Sequence, residues 1–378
     1  MKILLIGEYS RLHNSLKEGL QKLGHEVAIL GFNDGFKDFP VDFPIEKKWD
    51  FGFLKKIKIL VLKLTGFEIS SYLTYLQFNK YKENFKNYDV VQLINENSFF
   101  CNYHFEKKIL KNLFCNNKKV FLLSCGEDYM SVKFYFENKN KKSIIQPYLE
   151  GKIKNVDFLN VLKFRKKSFK KLHDFIYTNC NGVIASDLDY HFPLLGNPKY
   201  LGLISNPINI DKLISKELSI ENKIIIFHGI NELNFYKKGN DYFEDALKII
   251  ANKYLDQIEI ITAKSIPYIQ YIQLYNNAHI VLDQTYALDQ GYNALEAMAK
   301  GKVVFTGAEQ EFNQYYNITD RVCVNALPNV DYLVNELSFL IESPHEIIAI
   351  GRRAKDFIEK EHNYIEIAKN YIDTWEQK

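Results

Sequence analysis

Short apolar runs rich in valine, isoleucine and leucine recur along the chain, and most of them end in glycine or a polar turn. The first half carries KILLIG (2–7), EVAIL (26–30), DVVQLIN (89–95), KVFLLS (119–124) and GVIAS (182–186). The second half carries KIIIFHG (223–229), IEIITA (258–263), HIVLD (279–283), KVVFTG (302–307) and RVCVN (321–325). Helix-length stretches separate them, the first from Asn14 to Leu23. Runs apolar at every position predict parallel strands buried on both faces. Strand–helix alternation in two blocks predicts an α/β protein of two Rossmann-like, doubly wound domains facing across a cleft. The boundary is placed within LGLISNPINIDKL (201–213), where Asn206-Pro207 interrupts the pattern, giving domains 1–205 and 206–378. From His345 to Lys378 the pattern is helical, and the last helix is in a position to pack back on the first domain.

Composition adds constraints. A chain of 378 residues, 47% of them hydrophobic, supplies two sizeable cores. Its five cysteines are odd in number and lack CxxC spacing, which argues for a reducing compartment and against a disulfide scaffold or zinc site. The opening MKILLIGEYS reads as a first strand, not as a secretory signal. No apolar window reaches the roughly 18 uncharged residues of a membrane span. A cytoplasmic location is expected.

The net charge of +3 hides an asymmetry. Residues 1–205 carry 32 Lys/Arg against 21 Asp/Glu, and the remainder 17 against 25. A basic first half suits an anionic lipid surface or a phosphorylated ligand. Within it, FLKKIKILVLKL (53–64) mixes lysines with apolar positions Leu54, Ile57, Val61 and Leu64, and KFRKKSFKKLH (163–173) adds a second basic run. Peripheral attachment to the inner face of the cytoplasmic membrane is the expectation. No nucleic-acid reader motif is present, and the acidic half would repel phosphates.

Chemistry concentrates in the loops after strands, where ligands of such sheets bind. In DQGYNALEAMAKGK (289–302) a helix opens on Gly291, so its first amides can meet a phosphate at close range. Glu296 lies one turn further on, placed to accept hydrogen bonds from a pair of sugar hydroxyls. A nucleoside diphosphate offers both partners. Packing alone also accounts for the alanines and Met298.

GYNALEAMAKGKVVF (291–305) resembles the donor-binding segment of family-4-like (group 1) bacterial glycosyltransferases of the GT-B fold, which reads E-G-F-G-x-x-x-L-E-A-M-A-x-G-x-P-V. FHGINELNFYKKGNDYFEDALKII (227–250) is similar to their G-x-x-…-K-G-…-A-L segment, and residues 2–27 to their opening strand, loop and helix. SCGEDYM (124–130) stands where the family often has H-G-S-D.

The resemblance implies that Glu296 holds the donor ribose and that the backbone of Gly291, Tyr292, Asn293 and Ala294 faces its phosphates. It implies that Lys238 meets the diphosphate, a role a lysine suits because the leaving group gains charge. Lys237 reads as its solvated neighbour. Gly229 and Asn231 fall on the donor side, with Asn231 and Glu232 where the family has an arginine. Leu288 occupies the place of the family's first glutamate, and Asp289, one position later, is the candidate to replace it as a catalytic acid. On the acceptor side the candidates are Arg11, His13 and Asp128, the last also a catalytic candidate.

The same resemblance implies a retaining, metal-independent transfer of sugar from a nucleotide-diphosphate donor to a glycan or lipid-linked acceptor, in surface polysaccharide or glycoconjugate assembly. No cofactor is expected, and no DxD motif marks a metal site. Hydride transfer loses support because GEYSRLHNSL (7–16) lacks GxGxxG. A nucleotide-sugar epimerase of the same fold and a catalytically silent nucleotide-binding subunit remain as alternatives.

Overall fold

The computed structural model describes residues 1–32, 39–213, 218–264, 266 and 268–378. Two all-parallel sheets build it. The first comprises β1 (Lys2–Ile6), β2 (Glu26–Gly31), β3 (Phe43–Pro44), β4 (Val90–Leu93), β5 (Lys119–Ser124), β6 (Gly182–Ala185) and β7 (Tyr200–Leu203), in the order β3-β2-β1-β4-β5-β6-β7. The second comprises β8 (Ile224–Ile230), β9 (Ile258–Lys264), β10 (Ile280–Leu282), β11 (Val303–Thr306) and β12 (Val324–Asn325), in the order β12-β11-β10-β8-β9. The doubly wound pair of domains expected from the apolar runs is therefore the fold.

All ten runs form strands. The two strands they did not announce, β3 and β7, are edge strands. β3 is two residues long and ends in proline, which edges tolerate. β7 is only half-buried, and its pairing with β6 shifts register between Val183 and Ala185. Neither needs the two-sided apolar sequence of a central strand.

The order of strands fixes where a ligand can sit. In the second sheet the chain leaves β8 for β9 on one side and returns to β10 on the other. Loops after β8 and β10 thus diverge and leave a crevice at their carboxyl ends. In the first sheet the equivalent point lies between β1 and β4.

Helix Pro344–Glu361 packs on helix Tyr292–Ala299 of the second unit. After it the chain crosses back, and helix Tyr364–Glu376 packs against helix Leu12–Lys22 beside β1. Gly19 makes this approach close, because a Cβ there would stand 2.3 Å from the Tyr364 carbonyl. Trp375 is fully buried beside Phe121 of β5. The outgoing and returning segments run together, Ile208 donating to the His362 carbonyl at 2.7 Å.

Candidate active site

The β8–β10 crevice holds the first group of candidate residues. Lys238 follows a short turn after β8 and directs its ammonium to Asp283, just beyond β10, at 2.8 Å. The Thr285 amide donates to the Lys238 carbonyl at 3.0 Å, locking the two loops together. Gly239 takes φ +69°, and a Cβ there would lie 2.0 Å from Thr285 Oγ1, so this glycine is demanded by the fold.

Gly291 differs. Its φ is −72°, and an added Cβ would meet only Gln284 Nε2 at 3.6 Å and Asp283 Oδ2 at 4.0 Å. The protein does not require glycine there, so its bareness serves an approach from the crevice. The amides of Tyr292 and Asn293 make no backbone hydrogen bond among the described residues. Those of Ala294 and Leu295 are already closed onto the Gly291 carbonyl at 2.9 and 3.1 Å. Two of the amides expected to face phosphate are thus free, and that of Ala294 is not.

Glu296 sits one turn along this helix and is largely buried. Its carboxylate has no hydrogen-bonded or ion-paired partner among the described residues. Its charge, with burial first, pushes the Tyr292 phenol well above its usual range, while Arg11 opposes that shift. Arg11 comes from the first domain, where it also pairs with Glu18 at 3.7 Å. The structure thus brings Arg11 to the helix of Glu296.

Several expectations need correction. The Tyr292 side chain does not face a donor: its hydroxyl donates to the Pro207 carbonyl at 2.8 Å and receives Ser15 Oγ at 2.5 Å, bolting the domains together. Gly229 makes room for Tyr271, whose ring and hydroxyl come within 2.7–2.8 Å of a Cβ built there. Asn231 is exposed and caps the turn Glu232–Asn234 through the Leu233 amide. Asn293 is held by the tyrosines of helix Tyr268–Asn277, Tyr275 donating to its carbonyl at 3.1 Å.

His13 is fully buried on helix Leu12–Lys22. Its Nδ1–H donates to the Gly7 carbonyl at 2.7 Å, and Gln92 lies 3.4 Å from Nε2, so neither nitrogen faces the cleft. Burial lowers its pKa to about 4. Asp128 is fully buried as the cap of helix Tyr129–Glu137, bound to the Ser131 amide at 2.7 Å and to Ser124. It is a capping residue, not an acceptor-facing acid. Lys237 is not merely solvated but pairs with Glu127 of the first domain at 3.6 Å.

Asp289 turns away from the crevice because Leu288 before it takes a core position. Asp289 Oδ2 accepts the Leu188 amide at 2.9 Å, while the Leu288 amide donates to Asp189 at 3.2 and 3.3 Å. Two Leu-Asp pairs therefore clasp reciprocally across the domains. Asp187 completes a cluster of three carboxylates. Of this site, Asp283, Asp187, Asp189 and Glu127 had escaped sequence reasoning.

Residues 226–373 match the model of a family described as glycosyl transferase-like. This is a GT-B glycosyltransferase. A sucrose-phosphate synthase from Thermosynechococcus elongatus superposes with a TM-score of 0.62 at 14% identity, covering 100% of this chain and 99% of that one. Anabaena HepE in complex with UDP and glucose gives 0.59 at 13%, with 100% of both chains covered. A Listeria monocytogenes protein described as a putative UDP-N-acetylglucosamine 2-epimerase gives 0.55 at 11%, covering 100% and 96%. At such identities these likenesses show the fold. No curated protein matches the sequence.

Proposed function

We propose that this glycosyltransferase moves a sugar from a nucleoside-diphosphate donor to a glycan or lipid-linked acceptor, with retention of configuration and with no metal at the diphosphate. The observation that carries the reading is the convergence of Lys238, the bare Gly291 and two free helix amides at the β8–β10 crevice, with an unpartnered Glu296 one turn in. Anion-binding amides and a lysine suit a diphosphate, and a free carboxylate suits two ribose hydroxyls. As the glycosidic bond breaks, the leaving phosphate gains charge that Lys238 meets, and that phosphate accepts the proton of the incoming hydroxyl. HepE, which shares the fold, was solved with UDP and glucose, so UDP is the first nucleotide to try.

The membrane is the proposed place of the acceptor, with assembly of surface polysaccharide or glycoconjugate as the setting. Helix Gly52–Thr65 buries no residue, and Phe51, Phe53 and Leu64 are 87%, 74% and 75% exposed. Ile57 and Val61, expected on its apolar face, instead turn partly towards the next helix. Among the described residues no single helix is long and apolar enough to cross a membrane.

Calorimetry with UDP and GDP tests the donor site, and release of nucleotide only in the presence of acceptor tests transfer. Interconversion of the donor sugar without acceptor would make the protein an epimerase. The Lys238–Asp283 pair is the observation that favours a silent subunit, and nucleotide binding without turnover on a broad acceptor panel would establish it.

A further inference from the structure

A cavity of about 170 Å³ lies between the domains, beside the reciprocal Leu-Asp clasp. Glu127, Asp187 and Asp189 line it from the first domain, and Gln284, Asp289 and Gln290 from the second. No lysine, arginine or histidine is among the lining residues. One oxygen from each of the three aspartates lies within 4.8 Å of the others.

Some of this charge is met by neutral donors. Leu188 N–H serves Asp289, Leu288 N–H serves Asp189, and Ser186 Oγ donates to Asp187 at 2.9 Å. Asp289 Oδ1 and Asp187 Oδ1 are left buried without a hydrogen bond. Asp289 is only 4% exposed. Gln290, equally buried and outside the carboxylate cluster, donates through Nε2 to the Gly307 carbonyl at 2.8 Å, and its Oε1 accepts nothing among the described residues. Lys142, the cation whose field reaches Asp189, is engaged by Glu309 and the Ala326 carbonyl, both at 2.7 Å. Buried acceptors of one sign, with no ion-paired partner, call for a positive ligand.

We propose that Asp187, Asp189 and Asp289 bind a divalent cation, calcium in preference to magnesium, which clasps the two domains. The donors are all oxygens, which suits a hard cation and not zinc or copper. A spread within 4.8 Å fits the roughly 4.6–5.2 Å span of a calcium coordination sphere. Magnesium asks for a near-ideal octahedron about 4.2 Å across, and the carboxylates would have to close on it. The ion joins the loop after β6 to the loop after β10, so it favours the arrangement in which those loops meet. This clasp is independent of the donor reading, because calcium is tested without nucleotide.

The experiment is thermal unfolding of the full chain, stripped with chelator and held at constant ionic strength, with and without millimolar calcium or magnesium chloride. Binding to the folded state alone raises the melting temperature. Wild type should rise by several degrees with calcium and by less with magnesium, and calorimetry should give one calcium per chain. Asp289→Asn and Asp187→Asn should each melt no lower than metal-free wild type, since they relieve like-charge repulsion, and should gain nothing from calcium. No calcium shift in wild type, or an undiminished shift in both variants, overturns the proposal. So does stabilisation by glucosamine in place of calcium, which would assign the cavity to a sugar ammonium.

Discussion

Lys238 and Asp283 stand 2.8 Å apart across the crevice between β8 and β10, and the Asp283 side chain is only 1% exposed. A carboxylate buried so deeply depends on its counter-ion. Lys238 has three N–H donors, so one can hold Asp283 while the others face an incoming diphosphate. The lysine thus serves the fold and the proposed chemistry at once, and the two roles separate by mutation.

Lys238→Ala should lower the stability of the protein by about 1–3 kcal/mol, because Asp283 is left buried and unpaired. It should also lower kcat more than it weakens donor binding, since the lysine's charge matters most as the diphosphate leaves. Adding Asp283→Asn should restore the melting temperature without restoring turnover. Recovery of turnover in the double variant would show that Lys238 is a counter-ion alone. Lys237→Ala, which breaks the pair with Glu127, is the control and should leave kcat nearly intact.

Glu296 and Gly291 should show the opposite balance of stability and binding. The Glu296 carboxylate touches no partner, so Glu296→Ala should leave the melting temperature unchanged while weakening UDP by about 1.5–3 kcal/mol. In Gly291→Ala the new methyl finds ordinary contacts at 3.6 and 4.0 Å, so the fold should survive and the methyl should stand where phosphate approaches. Calorimetry of both variants, beside their unfolding curves, checks this. Unchanged UDP affinity in either would remove that residue from the donor site.

The strand pattern was readable because buried parallel strands need apolar residues on both faces, and the edge strands β3 and β7 escaped because they do not. The crevice was readable at Gly291 and Glu296, where one helix carries both. Asp283 was hidden by its position at the end of the apolar run HIVLD, where it reads as the close of a strand. Asp187 and Asp189 meet Asp289 only through the docking of two domains, and no local spacing reports such a meeting. His13 and Asp128 were misjudged for a different reason. A position after a strand says where a residue lies but not which way its side chain turns. The Asp128-x-x-Ser131 spacing carried the missing signal, since a short polar pair three residues apart is how a helix start is capped.

Two buried histidines set an acid limit on stability. Burial lowers the pKa of His13 and of His362 to about 4, from an ordinary 6.5. Between those values the unfolded chain binds protons that the folded chain refuses. Stability present above pH 6.5 is therefore lost as pH falls towards 4, by up to about 3 kcal/mol for each histidine. Asp187, raised to about 7 by burial, acts in the other direction, holding a proton that the unfolded chain releases. Comparing each His→Gln variant with wild type at pH 7.5 and 4.5 isolates the histidines. The variants should gain on wild type at the lower pH, and parallel profiles would rule out the buried neutral state.

The exposed helix Gly52–Thr65 gives the membrane prediction. Phe51, Phe53, Leu60 and Leu64 bury nothing within the protein, and their apolar surface is worth about 25 cal/mol per Å² when a lipid interface covers it. Around them stand Lys55, Lys56 and Lys63, each contributing on the order of 1 kcal/mol near an anionic surface. Lys58 is set apart by its pair with Asp50. Salt screens the lysine contribution and leaves the apolar one. The protein should therefore co-sediment with anionic vesicles at low salt, less with the same vesicles at high salt, and least with neutral ones. Replacing Lys55, Lys56 and Lys63 by glutamine should remove the salt-sensitive part. Phe53→Ser with Leu64→Ser should remove the salt-resistant part. Neither set should change the melting temperature in solution, because none of these side chains is buried in the fold. If wild type ignores anionic vesicles at low salt, the helix is covered by something other than lipid, and the acceptor is to be sought among soluble glycans.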